Sequence, residues 1–321
     1  MTHGLTPRST LGAAIVAACL MSGAPSDAEE RGVGPYTIGT LATLLDRAPD
    51  SPGWRGAAFG FHFEGETSPD VFYPVAGVIT AGLKSEVNHA ALGVLYTFEP
   101  KVFGATYTMA AYTQFIDGRV TARILTPTGF ATRVDHATGP GDSFIVPAIL
   151  GWTRGNFQLS AALPIRVPTG DFQADRLINT GTNAFSVDPV LGLSYLNPTT
   201  GFGASVIGGV TINGENPTTD YRSGSLLHIE GSVQQYLPLG PGHIGLGATG
   251  AWLQQITDDS GPGAFLGDFR SRALSIGPVV GYSFAFEDGR SANIEFKWLP
   301  EIDTKNRVEG DYFWLKGILK F

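Results

Sequence analysis

The chain has 321 residues, of which only 16% are Asp, Glu, Lys or Arg, well under the roughly 25% of an ordinary soluble domain. Its 43 glycines and 11% aromatics suit tight turns and strands and argue against a long helical bundle. The formal charge is −8 and no basic run occurs, which argues against a nucleic-acid partner.

Residues 1–28 read as a secretory signal peptide. Arg8 precedes the apolar run LGAAIVAACLMSGA, Leu11 to Ala24, and the small residues of SDA, Ser26 to Ala28, follow it. The run is too short to span a bilayer comfortably. VAAC at Val16 resembles a lipoprotein cleavage box, but the apolar run continues through Leu20 and Met21. Cys19 is the only cysteine, so a chain cleaved before Glu29 has neither disulfides nor thiol chemistry. Residues 29–53 form an N-terminal periplasmic segment with one apolar cluster, Leu41 to Leu45, that suits a short helix. It reads equally as a plug of the lumen or as a free tail. From residue 54 to 321 no run of ~18 apolar residues occurs, which leaves no transmembrane helix.

Residues 54–321 alternate with a period of two instead. Loose alternation of apolar with small residues marks Phe59 to Phe63, Ala90 to Phe98 and Phe103 to Met109. NFQLSAALPI sets Phe157, Leu159 and Ala161 against Gln158 and Ser160, and the loose pattern returns over Phe202 to Ile212. In LLHIEGSVQQY, Leu227, Ile229 and Val233 alternate with His228, Glu230, Ser232, Gln234 and Tyr236. After Ile244 to Trp252 and Leu274 to Phe286, SANIEFKWLP sets Ile294, Phe296 and Trp298 against Asn293, Glu295 and Lys297. The terminal segment DYFWLKGILKF places Phe313, Leu315, Leu319 and Phe321 opposite Trp314, Lys316 and Lys320.

The gaps between these segments alternate in length. Long ones run over Glu64 to Lys84, Ile116 to Gly141, Pro168 to Thr182, Asn213 to Gly224, Thr257 to Phe269 and Glu301 to Gly310. Short ones lie at Glu99, Thr153, Asn197, Leu237 and Glu287. A soluble sandwich alternates too, but it has no reason to keep long and short connections in strict succession. The expected fold is therefore all-β: a transmembrane antiparallel β-barrel of about twelve strands, with long extracellular loops and short periplasmic turns. The apolar alternates are expected to face lipid and the polar ones the lumen. Ten residues are the lumen-lining candidates: His228, Glu230, Ser232, Gln234, Tyr236, Asn293, Glu295, Lys297, Trp314 and Lys316. Tyr96, Phe98, Trp252, Phe286, Trp298 and Phe313 suit an aromatic girdle. The terminal Phe321 suits recognition by the outer-membrane assembly machinery.

From about Pro52 to Phe321 an ordered series of short signatures occurs: SPGW at Ser51, GPGDSFIVPAILGW at Gly139, PTGDF at Pro168, ENPTTDYRSG at Glu215, QQITDD at Gln254 and SIGP at Ser275. On these the chain resembles the meta-pathway phenol-degradation family of Gram-negative outer-membrane proteins. The resemblance implies a barrel that carries hydrophobic or aromatic small molecules, with no catalytic residues to transfer. Where the family often has an NxW stretch after PTG, this chain has NTGTNAF, with Phe185 in the place of the Trp.

Other chemistry has weaker support. The six histidines show no spacing that builds a metal site, and no cofactor is expected. His228 and Glu230, two apart on one face, could act as an acid/base pair, with Ser232 or Ser225 as nucleophile, but no GxSxG-type elbow accompanies them. GLGATG at Gly245 lies inside a strand with no helix after it, which removes a nucleotide-binding reading. TDDSGPG at Thr257 with Asp268 gathers carboxylates that could hold Ca²⁺ or bridge lipopolysaccharide phosphates, or could simply be solvated. The leading expectation is a non-enzymatic outer-membrane channel. Small hydrophobic or aromatic solutes would diffuse passively between Glu230, Glu295, Lys297 and Lys316. An outer-membrane lipid hydrolase and a structural or adhesive barrel are the alternatives. Expected partners are outer-membrane lipid and lipopolysaccharide, the assembly machinery and the solute.

Overall fold

The computed structural model of the protein describes residues 36–68, 72–75, 78–264 and 270–321. The expected signal peptide, residues 29–35 and Asp268 lie outside the described residues.

The period-two segments form one antiparallel sheet. Its first half contains β1 (Gly53–Glu66), β2 (Phe72–Val75), β3 (Val78–Val102), β4 (Ala105–Thr126), β5 (Gly129–Pro140), β6 (Ser143–Arg154), β7 (Phe157–Ala162) and β8 (Ile165–Val167). Its second half contains β9 (Ser186–Val187), β10 (Val190–Leu196), β11 (Phe202–Asn213), β12 (Leu226–Leu239), β13 (Gly242–Gln255), β14 (Arg272–Ala285), β15 (Ser291–Lys305) and β16 (Glu309–Lys320). β2 is a short flap on β3. β5 and β6 share one wall position, pairing with the upper and lower parts of β4, and β7 with β8 and β9 with β10 do likewise. The wall thus has twelve positions. β1 closes it on β16, in register from Arg55↔Lys320 to Glu66↔Glu309, which completes the ring of pairings around the twelve positions.

The three divided positions break at Gly141–Asp142, Leu163–Pro164 and Asp188–Pro189. Proline has no N–H to give a ladder, so breaks at Pro164 and Pro189 let the wall bend. Single bonds carry it across: Leu163 N–H to Ala148 O (3.1 Å) and Asp188 N–H to Pro164 O (2.9 Å).

Three of the expected long loops are mostly strand, Glu301 to Gly310 among them, since β15 runs to Lys305 and β16 begins at Glu309. β3 has 25 residues and β4 has 22, so much of Ile116 to Gly141 is a hairpin that outruns the ~9 to 11 residues of a crossing. β1 likewise continues to Glu66 and β3 begins at Val78. Polar residues outside a ladder, such as Arg119 and Arg123, are compatible with pairing in water. The inward Gly118, Val120 and Ala122 keep the alternation there.

The remaining long loops form a cap. Pro168 to Phe185 folds inward until Leu177 is fully buried and Ile178 packs over Gly118 and Val87. Asp142 fixes both ends of this loop by accepting from Gly170 N (3.1 Å), Thr182 N (2.9 Å) and Thr182 Oγ1 (2.7 Å). The ends press so closely that a Cβ on Gly170 or Gly181 would lie 2.6 Å from the other's backbone. Asp259 is a second clamp, accepting from Tyr221 Oη (2.5 Å), Gly224 N (2.7 Å) and Gln255 Nε2 (2.8 Å). Burial pushes its carboxyl above the usual range, and the three donors oppose the rise. Of the carboxylates in this acidic loop, the described ones are already engaged. Asp259 is spent on the clamp, Asp258 is bonded to Arg270 (2.5 Å), and no set of three His, Asp or Glu among the described residues could hold a metal.

The faces follow expectation on the C-terminal strands. Ile294 and Phe296 are about half exposed on the outer face, while Glu295 and Lys297 point inward and are buried. On β1 the expectation is reversed: Phe59, Phe61 and Phe63 belong to the inner apolar cluster, and the glycines and His62 of the other parity face out. The inward rings pack on Tyr312 and Trp314, with centroids 4.5 Å (Phe63–Tyr312) and 4.8 Å (Phe61–Trp314) apart.

Two outcomes follow for mutants. Ile294→Arg should cost about 2 to 4 kcal/mol in folding into lipid vesicles, whereas Asn293→Arg should be tolerated, as a heat-modifiable gel shift would report. Equal penalties would reverse the parity. Asp142→Ala strands three donors and should cost the cap on the order of 3 kcal/mol, read as new protease cleavage within 168–185 in a barrel that still shifts on the gel.

Candidate functional site: the lumen and its N-terminal segment

A closed wall with lysines and glutamates on its inner face must supply them with partners, because a buried charge left alone is costly. The partners come from the start of the described chain. The N-terminal segment rises from the short-turn end, where Arg55 donates to Ser51 O (2.9 Å), into the lumen. Thr106 Oγ1 donates to Pro49 O (2.8 Å) and Gln158 Nε2 to Ala48 O (3.0 Å) on the way. The expected short helix is a single 3-10 turn, Leu44–Asp46, whose Asp46 carboxylate accepts from Thr43 N (3.1 Å).

Above this turn the segment meets the candidates on β12, β15 and β16. Lys297, fully buried, donates to Gly39 O (2.6 Å) and Leu41 O (3.1 Å), with its ammonium 5.7 Å from the Trp314 ring centroid. Trp314 Nε1 donates to Ile38 O (2.9 Å). Lys316 donates to Thr40 O (2.8 Å) and to the Asp46 carboxylate. Glu295 accepts from Thr43 Oγ1 (2.9 Å), and Glu230 accepts from Tyr36 Oη (2.7 Å) and Gly39 N (3.1 Å). Gly39 has φ +88°, and a Cβ there would lie 2.4 Å from the Trp314 indole nitrogen, so only glycine fits.

Several expectations change as a result. His228 bonds Asp188 (2.9 Å) and stacks on Tyr36 at 3.7 Å, while Glu230 serves the segment, so each has a partner other than the other. The hydroxyl of Ser232 is paired with Ser205 (2.9 Å), which in turn donates to Ala42 O. The backbone N–H of Ser225 donates to Thr257 Oγ1 (2.8 Å) in the cap. Nor can a solute pass between Glu230, Glu295, Lys297 and Lys316, because residues 36–46 occupy that position.

The open space lies beside the segment. An internal cavity of about 950 Å³ is lined from Pro198 and Lys320 at the short-turn end to Asn213 and Ser223 under the cap. Of the ten candidates, Tyr236, Asn293, Glu295, Trp314 and Lys316 line it, while His228, Glu230, Ser232, Gln234 and Lys297 lie outside its lining. Tyr236 Oη donates to Gln234 Oε1 (3.2 Å).

The opposite wall of this cavity was not anticipated. It carries Phe59, Phe61, His89, Tyr112, Phe144 and Arg166. Phe61 stacks on His89 at 4.8 Å, Phe59 meets Tyr112 edge-on at 5.8 Å, and Arg166 lies 5.4 Å above Phe144. Gln114 holds His89 in place at 2.5 Å while its own amide donates to Asp142 O (2.5 Å). The available signal was the parity of Phe59, Phe61 and Phe63. The charged lining is balanced, with Arg47, Arg55, Arg166, Lys316 and Lys320 against Asp46, Asp50, Asp142, Asp188 and Glu295.

Comparison with known proteins places this architecture. The structure is similar to the crystal structure of the COG4313 outer membrane channel from Pseudomonas putida F1, with a TM-score of 0.60 and 15% identity over 89% of this chain and 100% of that one. It is also similar to the β domain of the Bordetella autotransporter BrkA, with a TM-score of 0.47 and 11% identity over 84% and 100% of the two chains. No curated protein matches the sequence. The family model described as "Putative MetA-pathway of phenol degradation" matches residues 68–317. The match spans most of the chain, and the protein with its twelve-position barrel therefore belongs to that family.

Proposed function

We propose that the protein is an outer-membrane channel through which small, uncharged aromatic or apolar molecules diffuse passively along the cavity beside the N-terminal segment. The observation that carries this reading is the cavity itself: a lining that reaches from one end of the barrel to the other, rich in rings, with five cationic side chains offset by five anionic ones. Balanced charge gives little field along the path to favour either sign of ion. The aromatic side offers a planar solute stacking and apolar contact, and flanking polar groups meet its substituents. An outer face of Leu92, Leu191, Ile276 and Leu315, each more than half exposed, suits lipid. On this reading the cap faces the cell exterior, where lipopolysaccharide surrounds it, and the exposed terminal Phe321 is available to the assembly machinery.

The test is made in planar bilayers and vesicles. The protein should show a small conductance with a cation-to-anion permeability ratio near unity, and vesicles containing it should admit phenol several-fold faster than a charged benzoate of similar size. Strong ion selectivity, or solute entry no faster than through protein-free vesicles, would contradict the proposal.

A further inference from the structure

We propose that the N-terminal segment is a fixed wall of the passage, and that solutes cross with it in place and are selected by its residues. This inference rests on the channel reading above. A removable plug needs a weakly held contact surface and a lumen with no route until it leaves. Here the segment is held by many contacts, and a cavity lies beside it while it is docked. At least eight wall groups hold residues 36–51: Glu230, Glu295, Lys297, Trp314, Lys316, Ser205, Gln158 and Thr106. With the segment docked, Lys297 and Glu230 are essentially fully buried and take their hydrogen bonds from it, so removing it breaks four bonds to these two charges at once. Ala42 holds a φ of 111°, a conformation rare for any residue with a Cβ, and its carbonyl is fixed by Ser205. The chain accepts that strain where the docked position is specified on all sides.

Space beside the docked segment, meanwhile, already exists. Thr37, Thr40, Leu41, Leu45 and Asp46 line the cavity directly. They face the aromatic side formed by Phe59, Phe61 and Tyr112, so the passage runs between wall and segment. A change of side chain on the segment should therefore change what passes, as a change on the wall would. Leu45 is the informative position: it is half-buried and lines the cavity, with no polar contact to the wall.

The experiment tethers the segment in the full chain. In a Cys19→Ser background, Ala42→Cys with Ser205→Cys should form a disulfide that locks the middle of the segment to β11. A second pair, Ala48→Cys with Gly151→Cys, anchors its base. A Cβ at 151 would lie 2.8 Å from that of Ala48, within a small adjustment of the ~3.8 Å of a disulfide. Heat-modifiable migration checks folding of each pair. Conductance and phenol entry should agree within twofold between oxidised and reduced protein. Adding Leu45→Glu to the oxidised protein should raise the cation-to-anion permeability ratio several-fold. A tenfold loss on oxidation that recovers on reduction would overturn the fixed wall, as would a permeability ratio unmoved by Leu45→Glu. Absence of conductance and phenol entry in the untethered parent would instead defeat the channel reading on which the inference rests.

Discussion

The constraint on which the structure depends is the fate of charge inside a closed wall. Strands with a period of two can close into a barrel, but they then carry Glu230, Glu295, Lys297 and Lys316 inward, away from bulk water. Satisfying an ammonium takes several acceptors in fixed directions, and Lys297 finds backbone carbonyls at Gly39 and Leu41 with Glu295 at 3.9 Å. Backbone from the N-terminal segment is thus the solvent of the inner wall. Its 3-10 turn places Asp46 against Lys316, and two of its hydroxyl-bearing residues, Tyr36 and Thr43, reach the two glutamates.

From that arrangement the rest follows. The segment leans on β12, β15 and β16, so the free volume is left against the opposite side, where β1, β3, β4 and β6 supply rings. Above it, Tyr36 and Ile38 join Leu177 and Ile178 of the inward loop in one apolar cluster, which joins cap and segment. The signatures that run through the family-like stretches fall largely in this upper region. Asp142 of GPGD holds the PTG loop, and Asp259 of QQITDD holds Tyr221 and Gly224 of the ENPTTDYRSG loop. Asn183, with φ 55°, joins the two clamps through Asn216 (2.7 Å) and Thr218 (2.8 Å). The motifs are therefore those of loop architecture over the mouth of the cavity.

How much of this was legible depends on the segment of chain. On β12, β15 and β16 each face has its own chemistry, apolar against charged, and parity reads correctly from sequence. On β1 both faces are uncharged between Gly56 and Phe61, and aromatic against glycine does not distinguish lipid from a lumen filled with protein. The rings went inward because Trp314, Tyr312 and the docked segment give them an apolar interior. Polarity also misplaced the ends of β3 and β4, since a hairpin standing in water needs no apolar outer face. The pairing of residues 36–46 with β12, β15 and β16 had no local signal, because it joins positions some 190 to 280 apart in the chain.

The central claim, that the N-terminal segment is part of the folded interior, is tested most directly by amide hydrogen exchange on the intact protein in detergent or nanodiscs. Gly39 N–H, bonded to Glu230, is expected to exchange as slowly as amides in the ladder between β15 and β16. Exchange of residues 36–46 at the rate of an unstructured tail, in a barrel whose strands remain protected, would contradict the account.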